Sequence, residues 1–103
     1  MNVTRETGAF VIHDDGEIAG RTEFRDRGTE RIFFHTEIGE RFGGRGLASQ
    51  LIDAALAATS ADGFSVVAVC PFVRGRLEKH PEVFDGEWTR PSTSDLDWLK
   101  EQK

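Results

Sequence analysis

Apolar residues recur at every second position through the first third of the chain and at every third or fourth through the middle. The change of period falls at a cluster of glycines. Residues 9–13 (Ala-Phe-Val-Ile-His) predict a short strand that ends at Asp14-Asp15-Gly16, a hairpin turn signal. From Glu17 to Arg25, Ile18, Thr22 and Phe24 alternate with Arg21, Glu23 and Arg25, the pattern of a half-buried antiparallel strand. Asp26-Arg27-Gly28-Thr29 makes the next turn. From Glu30 to Ile38, the alternation predicts Ile32, Phe34, Thr36 and Ile38 on one face and Phe33, His35 and Glu37 on the other. Three strands joined by tight turns form an antiparallel meander.

The helical period takes over at Gly46. Leu47, Leu51, Ile52, Ala55 and Ala58 fall on one stripe up to Ala61, and Asp62-Gly63 ends the helix. Ser65–Cys70 is continuously apolar, as expected of a strand covered on both faces. Strand, helix and second apolar strand make a crossover, so the third and fourth predicted strands run parallel. Pro71 then suits the first position of a helix that ends before Pro81. Residues 85–93 read as irregular, and a last helix begins with Ser94 as its N-cap. The fold class is α/β: a small mixed twisted sheet of about four strands, a meander followed by a β-α-β crossover, with 1–103 as one domain.

Composition narrows the function. A formal charge of −5 argues against general nucleic-acid or anionic-membrane binding. No apolar run is long enough to span a membrane and the N-terminal residues lack a signal-peptide core, which predicts a cytoplasmic protein. The single cysteine, Cys70, is a free thiol, and the scattered His13, His35 and His80 show no metal-ligand spacing. The charge is uneven. Residues 41–80 hold five basic and three acidic side chains, a net of +2, while the remainder hold eight and fifteen, a net of −7.

The mildly basic segment contains Arg41-Phe-Gly-Gly-Arg-Gly-Leu-Ala48 at the strand-to-helix junction. Glycines let the backbone turn sharply and approach a ligand, and the helix that follows aims unpaired N–H groups and its positive dipole end at the turn. Phosphate is the ligand such a site suits best. Arg41 and Arg45 read equally as phosphate or adenosine contacts and as solvated charges.

Cys70 ends an apolar strand just before a helix N-terminus, with Arg74 and Arg76 following. Helix N-termini and nearby cations favour a thiolate, which can accept an acyl group or act as a base. The competing reading is a small buried hydrophobe. His35 can take a proton at physiological pH, with Glu37 as a rival and a structural histidine as the alternative. Trp88 and Trp98 read as core packing or a partner surface.

The order strand, strand, strand, glycine turn, helix, strand, helix resembles the GNAT superfamily of acyl-CoA-dependent N-acetyltransferases. Its pyrophosphate signature, Gln/Arg-x-x-Gly-x-Gly/Ala, is matched by Arg41-x-x-Gly44-x-Gly46. His35-Thr36, the Gly-Arg-Gly-Leu-Ala run, Cys70-Pro71-Phe72-Val73 and His80-Pro81-Glu82 are similar to a short single-domain subgroup, and the likeness covers roughly residues 8–84. The resemblance implies acetyl-CoA as cofactor and an amine as acceptor. It places the pyrophosphate on the backbone of residues 43–48 (Gly43, Gly44, Arg45, Gly46, Leu47, Ala48), beside Arg41, and the pantetheine arm along the strand end at Ile38. The acetyl thioester lies between the third and fourth predicted strands, with Cys70 and His35 as the candidates for chemistry. Gly43 stands where many members carry a longer side chain. The helix pair and last strands that shape the acceptor site in longer members have no counterpart in this pattern. A non-catalytic CoA-binding or protein-interaction module is the alternative, and the pattern leaves acceptor and oligomeric state open.

Overall fold

The computed structural model describes residues 2–43 and 46–102. The strands are β1 (Asn2–Glu6), β2 (Ala9–Asp14), β3 (Glu17–Arg27), β4 (Glu30–Ile38), β5 (Ser65–Ala68) and β6 (Trp88–Thr89). The helices are α1 (Leu47–Ala61), α2 (Pro71–Lys79) and α3 (Thr93–Glu101). Short 3-10 turns cover Glu40–Phe42 and Pro81–Val83. The strands form one six-stranded sheet in sequence order, antiparallel from β1 to β4 and parallel from β4 to β6. The expected meander and crossover are present, and the sheet is two strands wider than expected. β1 is a polar edge strand and β6 holds only two residues, so neither carries an alternating pattern.

The β2–β3 hairpin closes through Asp15-Gly16, with φ of 53° and 78° at the two positions. That is the turn an Asp-Gly pair between antiparallel strands favours, because glycine tolerates positive φ without a Cβ clash. Two register shifts correct the predicted faces. Between Ile12 and His13, β2 slips against β3 so that Ile12 opposes Gly20 while His13 opposes Ile18. Ala19 therefore enters the core and Ile18 is 59% exposed. The second shift lies on β4, where Glu23 opposes His35 but Phe24 opposes Phe33. Phe34 is the extra residue of a bulge. Phe33 and Thr36, expected on opposite faces, thus lie on the same one.

That face carries the main core. Phe10, Phe24 and Phe33 form a ring cluster with centroids 5.2–6.5 Å apart, under Leu47, Leu51, Ile52, Ala55 and Leu56 of α1 and Val73 and Leu77 of α2. α3 reaches the other face, where Asp95 binds Arg27 at 2.6 Å and Trp98 stacks on its guanidinium. Ser92, not Ser94, caps this helix. Its Oγ accepts from the Asp95 N–H at 3.2 Å, and Asp95 Oδ2 accepts from the Ser92 N–H at 2.8 Å. Of the tryptophans, Trp88 packs against the core and Trp98 carries the Arg27 contact.

Among the described residues Arg31 is the one fully buried cation, only 1% exposed. It sits between the rings of Phe24 and Phe64, bonds both Asp26 oxygens at 2.8 and 3.2 Å, and reaches Asp62 at 3.0 Å and Thr59 at 3.3 Å. Strand β3, strand β4 and the end of α1 are tied through one side chain. Removing one partner of such a pair costs about 3–5 kcal/mol. Because Asp26 and Asp62 remain a third or more exposed, Arg31→Met is expected at the lower end, about 3 kcal/mol, measured by urea unfolding.

Acid should weaken the same ties. Hydrogen bonds from Arg31 and then Arg5 hold the Asp62 carboxyl below its ordinary value of 3.8, and the Ser92 N–H and then Arg27 do the same for Asp95. A carboxyl whose folded pKa is depressed adds stability above its unfolded pKa and loses it as pH falls through the folded one. The urea midpoint is therefore expected to be level above about pH 5 and to drop below about pH 4. A doubly substituted Asp62→Asn, Asp95→Asn protein should be weaker at neutral pH and flatter in acid.

Candidate active site

The parallel β4–β5 ladder runs from Glu30–Ser65 to Phe33–Ala68 and then stops. The Phe33 carbonyl accepts from both Val69 N–H at 3.0 Å and Cys70 N–H at 2.9 Å. Past that shared acceptor, Pro71 starts α2 while β4 continues to Ile38. The two strands fork. Backbone groups of β4 from His35 onward have no β5 partner among the described residues, and this open edge is where an extended ligand can add hydrogen bonds.

Cys70 stands at the apex of the fork as the N-cap of α2, 2% exposed. Its Sγ donates to Thr36 Oγ1 at 3.1 Å, and Thr36 Oγ1 shares a hydrogen bond of 2.9 Å with Thr22 Oγ1. Sequence reasoning passed over both threonines. Arg76, expected near the thiol, is held bidentately by Asp53 at 2.8 and 2.9 Å, a clamp between α2 and α1. His35 is on the opposite face of the sheet from Cys70, exposed, with Nε2 3.6 Å from Glu37 Oε2. Glu23 faces it across β3, and the three side chains bring ligand atoms within 4.8 Å of one another. Alternation along β4 predicts His35 and Glu37 on one face, but Glu23 joins them only through the pairing of β3 with β4, which the sequence pattern does not carry. The fork thus has a buried side with the thiol and an open side with an imidazole and two carboxylates. His13 bonds Thr4 at 3.1 Å and His80 lies 3.4 Å from Glu82, both at the periphery.

The glycine turn divides. Gly44 and Arg45 lie outside the described residues. Gly43 has extended backbone with φ of −64° and donates to the Glu40 carbonyl at 3.2 Å. Gly46 has φ of 73° and caps α1 with no side-chain hydrogen bond. A side chain here is strained by that left-handed backbone. Leu47 is 1% exposed, so its side chain anchors the helix in the core. Ala48 and Ser49, in the first turn, open onto a groove of about 390 Å³ between α1 and α2. Phe72, Arg76, Lys79 and His80 line its other wall. Arg41 is exposed, bonded to Glu17 and stacked on Phe42 at 4.8 Å. Ile38 closes β4 against the core.

Comparison with known proteins decides what this arrangement is. Residues 9–86 match the family described as GCN5-related N-acetyl-transferase. The chain belongs to the GCN5-related N-acetyltransferase family. No curated protein matches the sequence. Among solved structures, a GCN5-like protein from Staphylococcus aureus aligns with a TM-score of 0.67 at 19% identity, over 89% of this chain and 91% of that one. The aminoglycoside N-acetyltransferase AAC(6')-Iy, solved in complex with CoA, aligns at 0.50 and 19% identity over 82% of this chain and 71% of that one. At these identities the likeness is one of fold.

The acyl donor of the GCN5-related N-acetyltransferases is acetyl-CoA, and the residues present fit it. The α1 N-terminus has no side-chain cap to compete for its N–H groups, so it can receive a pyrophosphate. It opens into a groove carrying Lys79, and the unpaired β4 edge lies at the fork. These features give opposite expectations for binding and stability. A carboxylate in the first turn stabilises a helix by about 0.3–1 kcal/mol but repels a bound anion. Ala48→Glu should keep or raise the unfolding midpoint while weakening CoA binding at least about tenfold by calorimetry.

Proposed function

We propose that residues 1–103 act as a single N-acetyltransferase domain that binds acetyl-CoA in the α1–α2 groove and acetylates an amine arriving at the open face of the β4–β5 fork. The observation that carries this is the fork itself, with a buried thiol on one side and an exposed imidazole between carboxylates on the other. Gly46, Leu47 and Ala48 would hold the pyrophosphate through backbone N–H groups, together with Gly43, Gly44 and Arg45 as the glycine signature implies. Arg41 would flank that site and Ile38 would line the pantetheine arm. The free, buried Cys70 accords with a reducing, cytoplasmic setting. Cys70-Pro71-Phe72 fits a subgroup feature: the thiol caps α2, Pro71 takes the first helical position, and Phe72 is left 54% exposed on the groove.

Acetyl-CoA would supply an activated acetyl thioester, whose C–S bond would break as the C–N bond to the amine forms, with the released thiolate taking up a proton. His35 takes the proton that the attacking amine loses, and Glu37 and Glu23 stabilise the imidazolium so formed. Direct transfer is favoured over an acyl-Cys70 route by the thiol's surroundings. Its hydrogen-bond partner is a threonine hydroxyl, which is no base, and the chain ends at buried Thr22. Cys70 then positions the acyl end of the site.

His35→Ala should lower kcat/KM for acetyl transfer by about 10²–10⁴ while leaving CoA affinity unchanged. Intact mass after incubation with acetyl-CoA should show no adduct. An adduct that disappears in Cys70→Ala would establish the covalent route instead. A wild-type protein that fails to bind CoA by calorimetry would sink the enzyme and the CoA-module readings together, whereas binding without transfer to a broad amine panel would favour the module.

A further inference from the structure

α3 lies past residue 86, where the family match ends, yet it builds a wall beside the fork. Between this helix and the sheet is a cleft of about 340 Å³ whose floor and walls are Phe34, Leu96 and Leu99, with Gln102 at its edge. Leu96 is 41% exposed. The cleft is strongly apolar and has Arg25 and Lys100 in its lining. Among the described residues seven of the nine arginines are bonded to a carboxylate, whereas Arg25 and Lys100 have no such partner.

The bulge joins this cleft to the fork. Phe34 belongs to the cleft, and His35, the next residue, belongs to the Glu23–His35–Glu37 cluster. Arg25 is two residues from Glu23 on the same face of β3, a separation of about 7 Å along a strand. The acidic cluster therefore adjoins the hollow on its His35 side, while the hollow's own lining is apolar with Arg25 and Lys100 as its cations.

We infer that this cleft selects the acceptor: a primary amine on an apolar body, with no second positive charge at its far end. The inference rests on the amine-acceptor reading above and names its substrate class. The ammonium sits against Glu23 and Glu37, where His35 can deprotonate it, and the hydrocarbon lies over Phe34, Leu96 and Leu99. A second ammonium would be driven against Arg25 and Lys100, and like charges brought together cost binding. The protein's overall negative charge attracts any cation from a distance, so local rejection is what separates a monoamine from a diamine.

The test is a titration followed by amide NMR, with n-hexylamine and hexamethylenediamine as probes and CoA present or absent. The monoamine should shift Phe34, His35, Leu96 and Lys100 saturably and bind at least about tenfold tighter than the diamine. Lys100→Glu should shrink that preference, and Leu96→Asp should weaken hexylamine while CoA affinity is kept. Equal binding of the two amines, or shifts confined to other surfaces, overturns the inference. The titration needs no turnover. Loss of CoA binding therefore counts against the enzyme reading alone, and the amine preference is read independently of it.

Discussion

The carbonyl of Phe33 accepts hydrogen bonds from two successive N–H groups, Val69 and Cys70, and the geometry of the site follows from that sharing. A parallel ladder advances by giving each carbonyl one partner, so a carbonyl that takes two consumes the register and lets the strands diverge. β5 ends at Ala68 and the chain is released into α2. β4 continues, still paired with β3, and among the described residues no strand occupies its other edge. The bulge at Phe34 falls at the same level. Without it, His35 would share the core face with Phe33, and Thr36 would point away from Cys70. The bulge therefore puts an imidazole on the open face and a hydroxyl beneath the thiol in a single step.

A fork needs one closed end, and Arg31 supplies it. The residue pairs in register with Val66 at the closed end of the β4–β5 ladder and gathers Asp26, Asp62 and Thr59 around a buried guanidinium. Asp53 and Arg76 clamp α1 to α2 on the groove side. This revises the meaning of the basic middle segment. Of its four described cations two are already committed, Arg41 to Glu17 and Arg76 to Asp53. The proposed phosphate site therefore rests less on the charge count than on an uncapped helix end and Lys79.

The crossover was legible in the sequence because α1 and β5 bury strongly periodic or continuous apolar faces, and such patterns survive any tertiary context. The helix entry was legible because Gly46, with φ of 73°, takes a left-handed backbone that favours glycine. What escaped has physical reasons. β1 spans Asn-Val-Thr-Arg-Glu, an edge strand whose hydrogen bonds are all backbone. A bulge inserted between Phe33 and Phe34 replaces one phenylalanine with another in the alternation, so the register change has no compositional trace. Ser92 and Ser94 are equally good caps, and only the reciprocal bond with Asp95 chooses between them. The Glu23–His35–Glu37 cluster depends on strand register, which a spacing search along one chain segment cannot see.

The same register argument bears on where proton transfer takes place. Cys70 was the most conspicuous candidate in the sequence because it stands alone and precedes a helix. In the fold, its proton is directed to Thr36, and Thr36 leads only to Thr22 inside the core. A proton-transfer group needs an exit to solvent or to a second base, and this chain offers neither. His35 has both, since it is exposed and adjoins two carboxylates. The division follows from one inserted residue: the thiol is kept buried and hydrogen-bonded, and the imidazole is kept exposed beside two carboxylates. On the proposed reading, an acceptor approaching from the His35 side would meet first the face that α3 has shaped, which would make the element furthest from the glycine signature in sequence the one nearest to deciding what is acetylated.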